Sequence, residues 1–177
     1  MKNIKSARLQ LIALTLEQLK ICFEDPDRLS KSLGLSLSPD LFPDPVRKAI
    51  DIKIFCMEEQ AKHLHPWFTY WLIVTKKSRQ IIGMVGFKGA PHKPGQVEIG
   101  YGISQDQRGC GYATEAVQAL INWAFKQPMC HTVVAETLKN NIASMRVLEK
   151  VGMQVYDETE EILAWRIDKE RLLGTHA

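Results

Sequence analysis

The sequence predicts an α/β protein of the α+β kind, with a mixed, mostly antiparallel central sheet flanked by helices. Short segments that alternate apolar and polar residues, or are rich in β-branched ones, recur from Arg8 to Ile167. Between them lie stretches whose apolar residues return every three or four positions, as on one face of a helix. The 177 residues, 45% hydrophobic and 24% charged, can bury one ordinary core and contain no linker or repeat, so residues 1–177 are expected to form a single domain.

Arg8 to Thr15 approximately alternates and reads as a strand, and Leu16 to Cys22 then changes to helical spacing. Past a Leu/Ser/Pro-rich stretch, Asp44-Pro45 resembles a helix start, and Ile50, Ile54, Met57, Ala61 and Leu64 predict one long amphipathic helix stopped by Pro66. Trp67 to Thr75 and Gln80 to Phe87 read as a hairpin about a polar turn. A Gly/Pro loop leads to a strand over Gln96 to Ile103, with bulky Val97, Ile99, Tyr101 and Ile103 on one face and Glu98, Gly100 and Gly102 on the other. A helix begins just after Gly111, carrying the stripe Ala113, Ala116, Val117, Leu120, Ile121 and Ala124. A strand over Thr132 to Thr137, a helix over Ile142 to Val151 closed by Gly152, and strands over Met153 to Tyr156 and Leu163 to Ile167 complete the chain.

The net charge of +3 is spread over 23 basic and 20 acidic residues, which leaves no electrostatic footprint for nucleic acid or a membrane surface. Cys22, Cys56, Cys110 and Cys130 stand singly, in neither a zinc nor a disulfide pattern, and read as reduced thiols. With no apolar leader or spanning segment, a cytoplasmic location is expected. His63 and His65 lack the partners of a metal site, so no metal is expected.

Chemistry concentrates in Glu98 to Ala116, a strand, a glycine-bearing turn and a helix start. Unpartnered N–H groups and the helix dipole suit such a start to a phosphate, glycines let backbone approach it, and Arg108 adds a charged donor. A nucleotide P-loop would need Lys and Ser or Thr where Tyr112 and Ala113 stand. A dinucleotide fingerprint is closer, with Glu136 at the end of the next strand to hold a ribose, but Thr114 replaces its third small residue and Ser104 to Arg108 separates strand from glycines.

Arg108-Gly109-Cys110-Gly111-Tyr112-Ala113 matches the R/Q-x-x-G-x-G/A pyrophosphate loop of the GNAT superfamily of N-acetyltransferases. Together with Ile81 to Phe87, Glu98 to Phe125 and Glu136 to Met153 (ETLKNNIASMRVLEKVGM), it resembles the branch that acetylates ribosomal-protein amino termini, over roughly the C-terminal half. The resemblance implies acetyl-CoA as cosubstrate. It also implies that the Glu98–Ile103 strand splays from Thr132–Thr137, leaving a gap for the pantetheine arm. Taken alone, Gly100 and Gly102 are better explained by room for a covering helix.

By the same resemblance, the cofactor-binding residues are Ile103, Arg108, Gly109, Cys110, Gly111, Tyr112, Ala113, Asn141 and Ser144, with a backbone N–H near Ile103 as the oxyanion donor. Glu98 would accept the amine's proton, directly or through water, and Ser144 would protonate the leaving sulfur. Asn141 is equally read as a helix cap. The family's usual Tyr four residues beyond that Ser is Leu148 here, and its aromatic after the Lys-x-Gly element is Met153. The acceptor is expected to be a primary amine, a small molecule or a protein N-terminus. Two other classes stay open: a CoA-binding module without turnover, and a nicotinamide-dinucleotide enzyme. Trp67, Phe68, Tyr70 and Trp71 suit a core or an acceptor wall equally. Glu158, Glu160 and Glu161 suit a solvated turn.

Overall fold

A computed structural model describes residues 3–92 and 94–170. The elements run β1 (Asn3–Lys5), β2 (Leu9–Ala13), α1 (Leu16–Glu24), α2 (Pro26–Ser32), β3 (Ser36–Leu37), α3 (Asp44–Glu58), α4 (His65–Phe68), β4 (Tyr70–Thr75), β5 (Gln80–Phe87), β6 (Gln96–Ile103), α5 (Tyr112–Phe125), β7 (Thr132–Leu138), α6 (Ile142–Lys150), β8 (Gln154–Glu158) and β9 (Ile162–Asp168). One sheet collects the strands in the order β1-β2-β4-β5-β6-β7-β9-β8, with the two-residue β3 beside β5. Along that path only β6 and β7 pair in parallel; β3 is also parallel to β5. The mixed, mostly antiparallel sheet expected from the sequence is therefore the architecture.

Three segments differ from the sequence expectation. The helix expected to reach Leu64 ends at Glu58; a 3-10 turn (Lys62–Leu64) follows, and Pro66 lies in the first turn of α4 instead of terminating α3. Proline is compatible with that position because a first-turn N–H has no helical partner to lose. Trp67 and Phe68 accordingly belong to a helical turn, and the strand begins at Tyr70. The Ser30–Pro45 stretch is not all loop. α2 runs into it as far as Ser32, with Asp25 accepting from Arg28 N–H at 3.0 Å and Pro26 in its first turn, and β3 lies within it.

Two apolar layers cover the sheet. On one face α5 and α6 bury Ala116, Val117, Leu120, Ile121, Ala124 and Leu148 against Leu9, Leu11, Ile73, Val85, Val97, Ile99 and Val133. Trp67, Trp71, Phe87 and Trp123 cluster there at centroid distances of 4.7 to 6.1 Å. Of the aromatic run, Trp67 and Trp71 are thus core, with Trp71 Nε1 donating to Pro66 O at 3.0 Å. On the other face, α1, α2 and α3 pack Leu19, Cys22, Leu29, Ile50 and Met57 onto Ile12, Leu72, Val74, Ile81 and Met84. That second layer stops at β5, so the same face of β6 and β7 is left open where Glu98, Gly100, Gly102, Glu136 and Leu138 lie.

Candidate active site

β6 and β7 share a ladder of only three pairs, Gln96 with Thr132, Val97 with Val133 and Glu98 with Val134. Beyond Glu98 the strands part. Ser104 N–H donates to Ile82 O and Lys88 N–H to Glu98 O, both at 2.9 Å, so the even-numbered residues of β6 turn their main-chain groups toward β5. Because successive residues alternate, Tyr101 and Ile103 turn theirs the other way, past the end of the β7 ladder. A Cβ built at Gly100 or Gly102 would meet no atom within 4 Å. These glycines therefore do not make room for a covering helix; they keep the splayed strand bare.

The strand runs into the phosphate-loop candidate. Gly109 and Gly111 have φ of 77° and 78°, a region that disfavours a Cβ, and Gly111 caps α5 without a side-chain acceptor. The first N–H groups of α5 are thus presented to whatever docks there. Ile103, Arg108, Gly109, Gly111, Tyr112 and Ala113 line one cleft of about 320 Å³, together with Arg146, Val147 and Lys150 of α6. The structure thus brings together six of the nine residues expected at the cofactor. Cys110 is exposed at the loop tip, its Sγ 3.7 Å from Arg108 O.

Asn141 Oδ1 accepts from Ser144 N–H at 3.1 Å, so Asn141 caps α6 as the simpler reading holds, which leaves its amide nitrogen for other partners. Ser144 is tied to β6 through its main chain, its carbonyl accepting from Tyr101 Oη at 3.1 Å. Burial pushes the Tyr101 phenol up to about 12. Its hydroxyl hydrogen is engaged by the Ser144 carbonyl, so Tyr101 positions the first turn of α6. Leu148 and Met153 are both buried in the core, which makes the two departures from the family pattern packing substitutions.

Glu98 lies on the open face at the last paired position, half-buried, in an ion pair with Lys88. A second cleft of about 270 Å³ begins at Gly100, the next residue on that face, walled by Asp40, Leu41, Val46, Tyr70 and Met84 opposite Gly100 and Gly102, with Arg108 shared between the two clefts. Tyr70 is therefore the member of the aromatic run that faces this second cleft. Ser104 Oγ donates to Pro39 O at 3.1 Å, tying the 39–43 loop to the end of β6.

Sequence reading overlooked Arg8. Its Nε pairs with Glu115 Oε2 at 2.7 Å, an Nη donates to Cys110 O at 2.9 Å, and the guanidinium lies 4.6 Å from the Tyr112 ring centroid. Burial alone would hinder ionisation of Glu115, but hydrogen bonds from Arg8 N–H, Ser6 Oγ and the Arg8 guanidinium outweigh it and hold the carboxyl below its ordinary value. This hub fastens the β1–β2 turn to the start of α5 and steadies the loop from behind. No local pattern announces it, since its partners are more than 100 residues away.

Lys53 is a charged group packed against Tyr70. Its Nζ donates to Phe87 O at 2.6 Å and Phe68 O at 3.3 Å and lies 4.6 Å from the Tyr70 ring centroid; burial pushes it down to about 8. Glu158 pairs with Lys139 at 3.1 Å across the β7 and β8 ends. Among the described residues no group of three His, Cys, Asp or Glu side chains could hold a metal ion, and no helix is long and apolar enough to cross a membrane. His65 Nε2 lies 3.1 Å from Gln60 O, a local turn contact.

The early break of the β6/β7 ladder also separates this arrangement from a dinucleotide fold, whose adjacent parallel strands stay paired beneath the ligand. Comparison with known proteins agrees. The sequence profile of the acetyltransferase (GNAT) domain matches residues 8–154. The N-acetyltransferase YjdG of Bacillus subtilis (strain 168) is 36% identical over 98 residues, 55% of this chain and 58% of that protein. The N-acetyltransferase p20 of Bacillus licheniformis is 32% identical over 82 residues, 46% of each chain. The match thus spans about half the length of these curated relatives. The ribosomal-protein-S5-alanine acetyltransferase of Vibrio fischeri superposes with a TM-score of 0.69 at 19% identity, covering 96% of this chain and 98% of that one. RimL, a ribosomal L7/L12 alpha-N-protein acetyltransferase solved with coenzyme A, superposes with a TM-score of 0.65 at 16% identity over 94% and 98%. The splayed strand pair, the glycine loop at the head of α5 and the profile match over most of the sequence agree: the chain belongs to the acetyltransferase (GNAT) domain family.

Proposed function

We propose that the protein transfers the acetyl group of acetyl-CoA to a primary amine by direct attack, as a single cytoplasmic domain. The observation that carries this reading is the splay: Tyr101 and Ile103 direct main-chain donors and acceptors into a gap floored by bare glycine and continuous with the cleft at the head of α5. A pantetheine arm, with alternating amides of its own, suits such an edge, and a pyrophosphate suits the loop. In this reading acetyl-CoA supplies an activated thioester, and the chain binds, orients and moves protons.

The loop from Arg108 to Ala113 holds the phosphates, Arg108 by charge and the others by main-chain N–H groups. Ile103 and Asn141 bond the pantetheine arm. A main-chain N–H near Ile103 receives the negative charge that develops on the carbonyl oxygen. Glu98, at the crotch of the splay, takes the amine's proton directly or through a water, and Ser144 returns one to the departing sulfur. The acceptor enters from the side of Asp40 and Tyr70. The solved relatives named as ribosomal-protein acetyltransferases support a protein N-terminus, and the small second cleft admits a small amine equally.

One observation favours a second reading. The Lys88 ion pair occupies the carboxylate of Glu98, as in a module that binds CoA without Glu98-dependent turnover. Thermal melting with acetyl-CoA, free CoA and NAD in parallel, followed by an amine screen of wild type and Glu98→Gln, tests both. Stabilisation by acetyl-CoA and CoA but not NAD, with turnover that falls in Glu98→Gln, supports the acetyltransferase. No shift with saturating acetyl-CoA, or a shift confined to NAD, contradicts it. Stabilisation without turnover of any amine leaves the binding module.

A further inference from the structure

The open face beside the splay carries a second carboxylate to which the mechanism assigns no task. The β6/β7 ladder pairs Glu98 with Val134 and then ends, so the next same-face residues across the gap are Gly100 and Glu136. Glu136 is exposed, whereas its neighbours Ala135 and Thr137 are buried on the opposite face, where Thr137 Oγ1 accepts from Trp165 Nε1 at 2.9 Å. Its register partner on β9 is Ala164, too short to cover it. Neighbouring charges are already paired: Glu98 with Lys88, and Arg166 with Asp168 at 2.9 Å. Among the described residues no cation pairs with Glu136. Carried past the last pair, the register sets it level with Gly100, which presents a bare Cα with open space where a side chain would begin.

An unpaired carboxylate level with a bare glycine at the mouth of the gap suits a small cation. We propose that Glu136 is the acceptor-recognition residue of the site, its carboxylate receiving the ammonium end of the incoming amine across the splay from Gly100. The proposal rests on the acetyl-CoA reading and deepens it. It defines the acceptor by chemistry: a primary ammonium, whose positive charge the Glu136 carboxylate complements.

Two CoA thioethers test it without knowledge of the natural acceptor. S-(2-aminoethyl)-CoA delivers an ammonium into the splay, and S-propyl-CoA delivers a neutral arm of the same length. Isothermal titration at low salt is expected to show wild type favouring the aminoethyl compound by about 5-fold, the strength of a partly exposed charge pair, with the preference shrinking as salt is added. Glu136→Gln is expected to bind both equally, at the wild-type affinity for S-propyl-CoA, and with unchanged melting temperature because the side chain is exposed. Glu98→Gln is expected to keep most of the preference. Equal binding of the two compounds by wild type overturns the proposal, as does a preference that survives in Glu136→Gln. If wild type binds neither thioether nor acetyl-CoA, the acetyl-CoA reading itself falls, and this inference with it.

Discussion

Gly102→Val separates a cofactor edge from a packing device. In the free protein the new Cβ meets nothing within 4 Å, and φ at this residue lies outside the left-handed region, so neither clash nor backbone strain opposes it. Replacing a strand glycine with a β-branched residue removes unfolded-chain entropy and suits the pleat, gaining about 0.5 to 1 kcal/mol. For a chain of this length that is a rise of roughly 1 to 4 °C in Tm. The valine methyls would project toward Tyr70 and Met84, into a cleft of about 270 Å³. Acetyl-CoA-dependent turnover should therefore fall by at least about 100-fold, the scale on which a misplaced reacting centre loses rate. Melting of the free protein and a thiol-release assay read the two effects separately. Gly83→Ala is the contrasting control: its Cβ would lie 2.3 Å from Gly102 O and 2.8 Å from Ile103 Cδ1, so it should lower stability by about 1 to 3 kcal/mol. If Gly102→Val instead destabilises the free protein by more than about 2 kcal/mol, the glycine serves packing after all. If it leaves turnover intact, the open face is not the acceptor side.

Removing Arg8 should act on cofactor affinity without touching cofactor. Arg8→Ala loses an ion pair, a hydrogen bond and a cation–π contact, so CoA titration should weaken several-fold while the melting temperature drops by the equivalent of about 1 kcal/mol; unchanged affinity would remove the loop-tether role. Lys53 gives a pH signature. Its folded pKa of about 8 lies below the unfolded value near 10.4, so between the two the unfolded chain holds a proton that the folded one has released, and stability gains with rising pH. The buried Cys22 and Cys130 thiols, pushed up to about 12 and about 11, act in the opposite sense at alkaline pH, so the Lys53 term is read as the difference between wild type and Lys53→Met. That difference should shift in favour of wild type by on the order of 1 to 3 kcal/mol from pH 7.5 to 10.5, and a flat difference refutes a desolvated ammonium. Glu98→Gln should lower kcat by about 100-fold or more with little change in acetyl-CoA affinity; an unchanged kcat assigns the proton transfer elsewhere.

The C-terminal half was the more legible because its signals are local. The stripe from Ala113 to Ala124, the left-handed glycines before it and the Asn141 cap all lie within a few residues of what they determine. Ala61 and Leu64 continued the period of α3 by coincidence, and Pro66, taken as a stop, suits a helix start equally well. α2 escaped notice because only Leu29 and Ser30 are buried, leaving no apolar stripe, although Asp25-Pro26 is a capping signature. Arg8, the Lys88–Glu98 pair and the placement of Glu136 on the open face depend on register and on contacts distant in sequence. The lining of the second cleft was only partly legible for the same reason: Tyr70 stood out in the aromatic run, but Asp40 and Met84 come from separate segments with no shared motif.

Amide hydrogen exchange at Tyr101 and Ile103, with and without saturating acetyl-CoA, tests the central claim most directly. Their N–H groups face the gap beyond the last β6/β7 pair and are expected to exchange readily in the free protein. Marked protection of both on addition of acetyl-CoA, together with the amides from Gly109 to Ala113, is the predicted result. Protection absent from β6, or confined to other strands, would contradict the splay as the cofactor site.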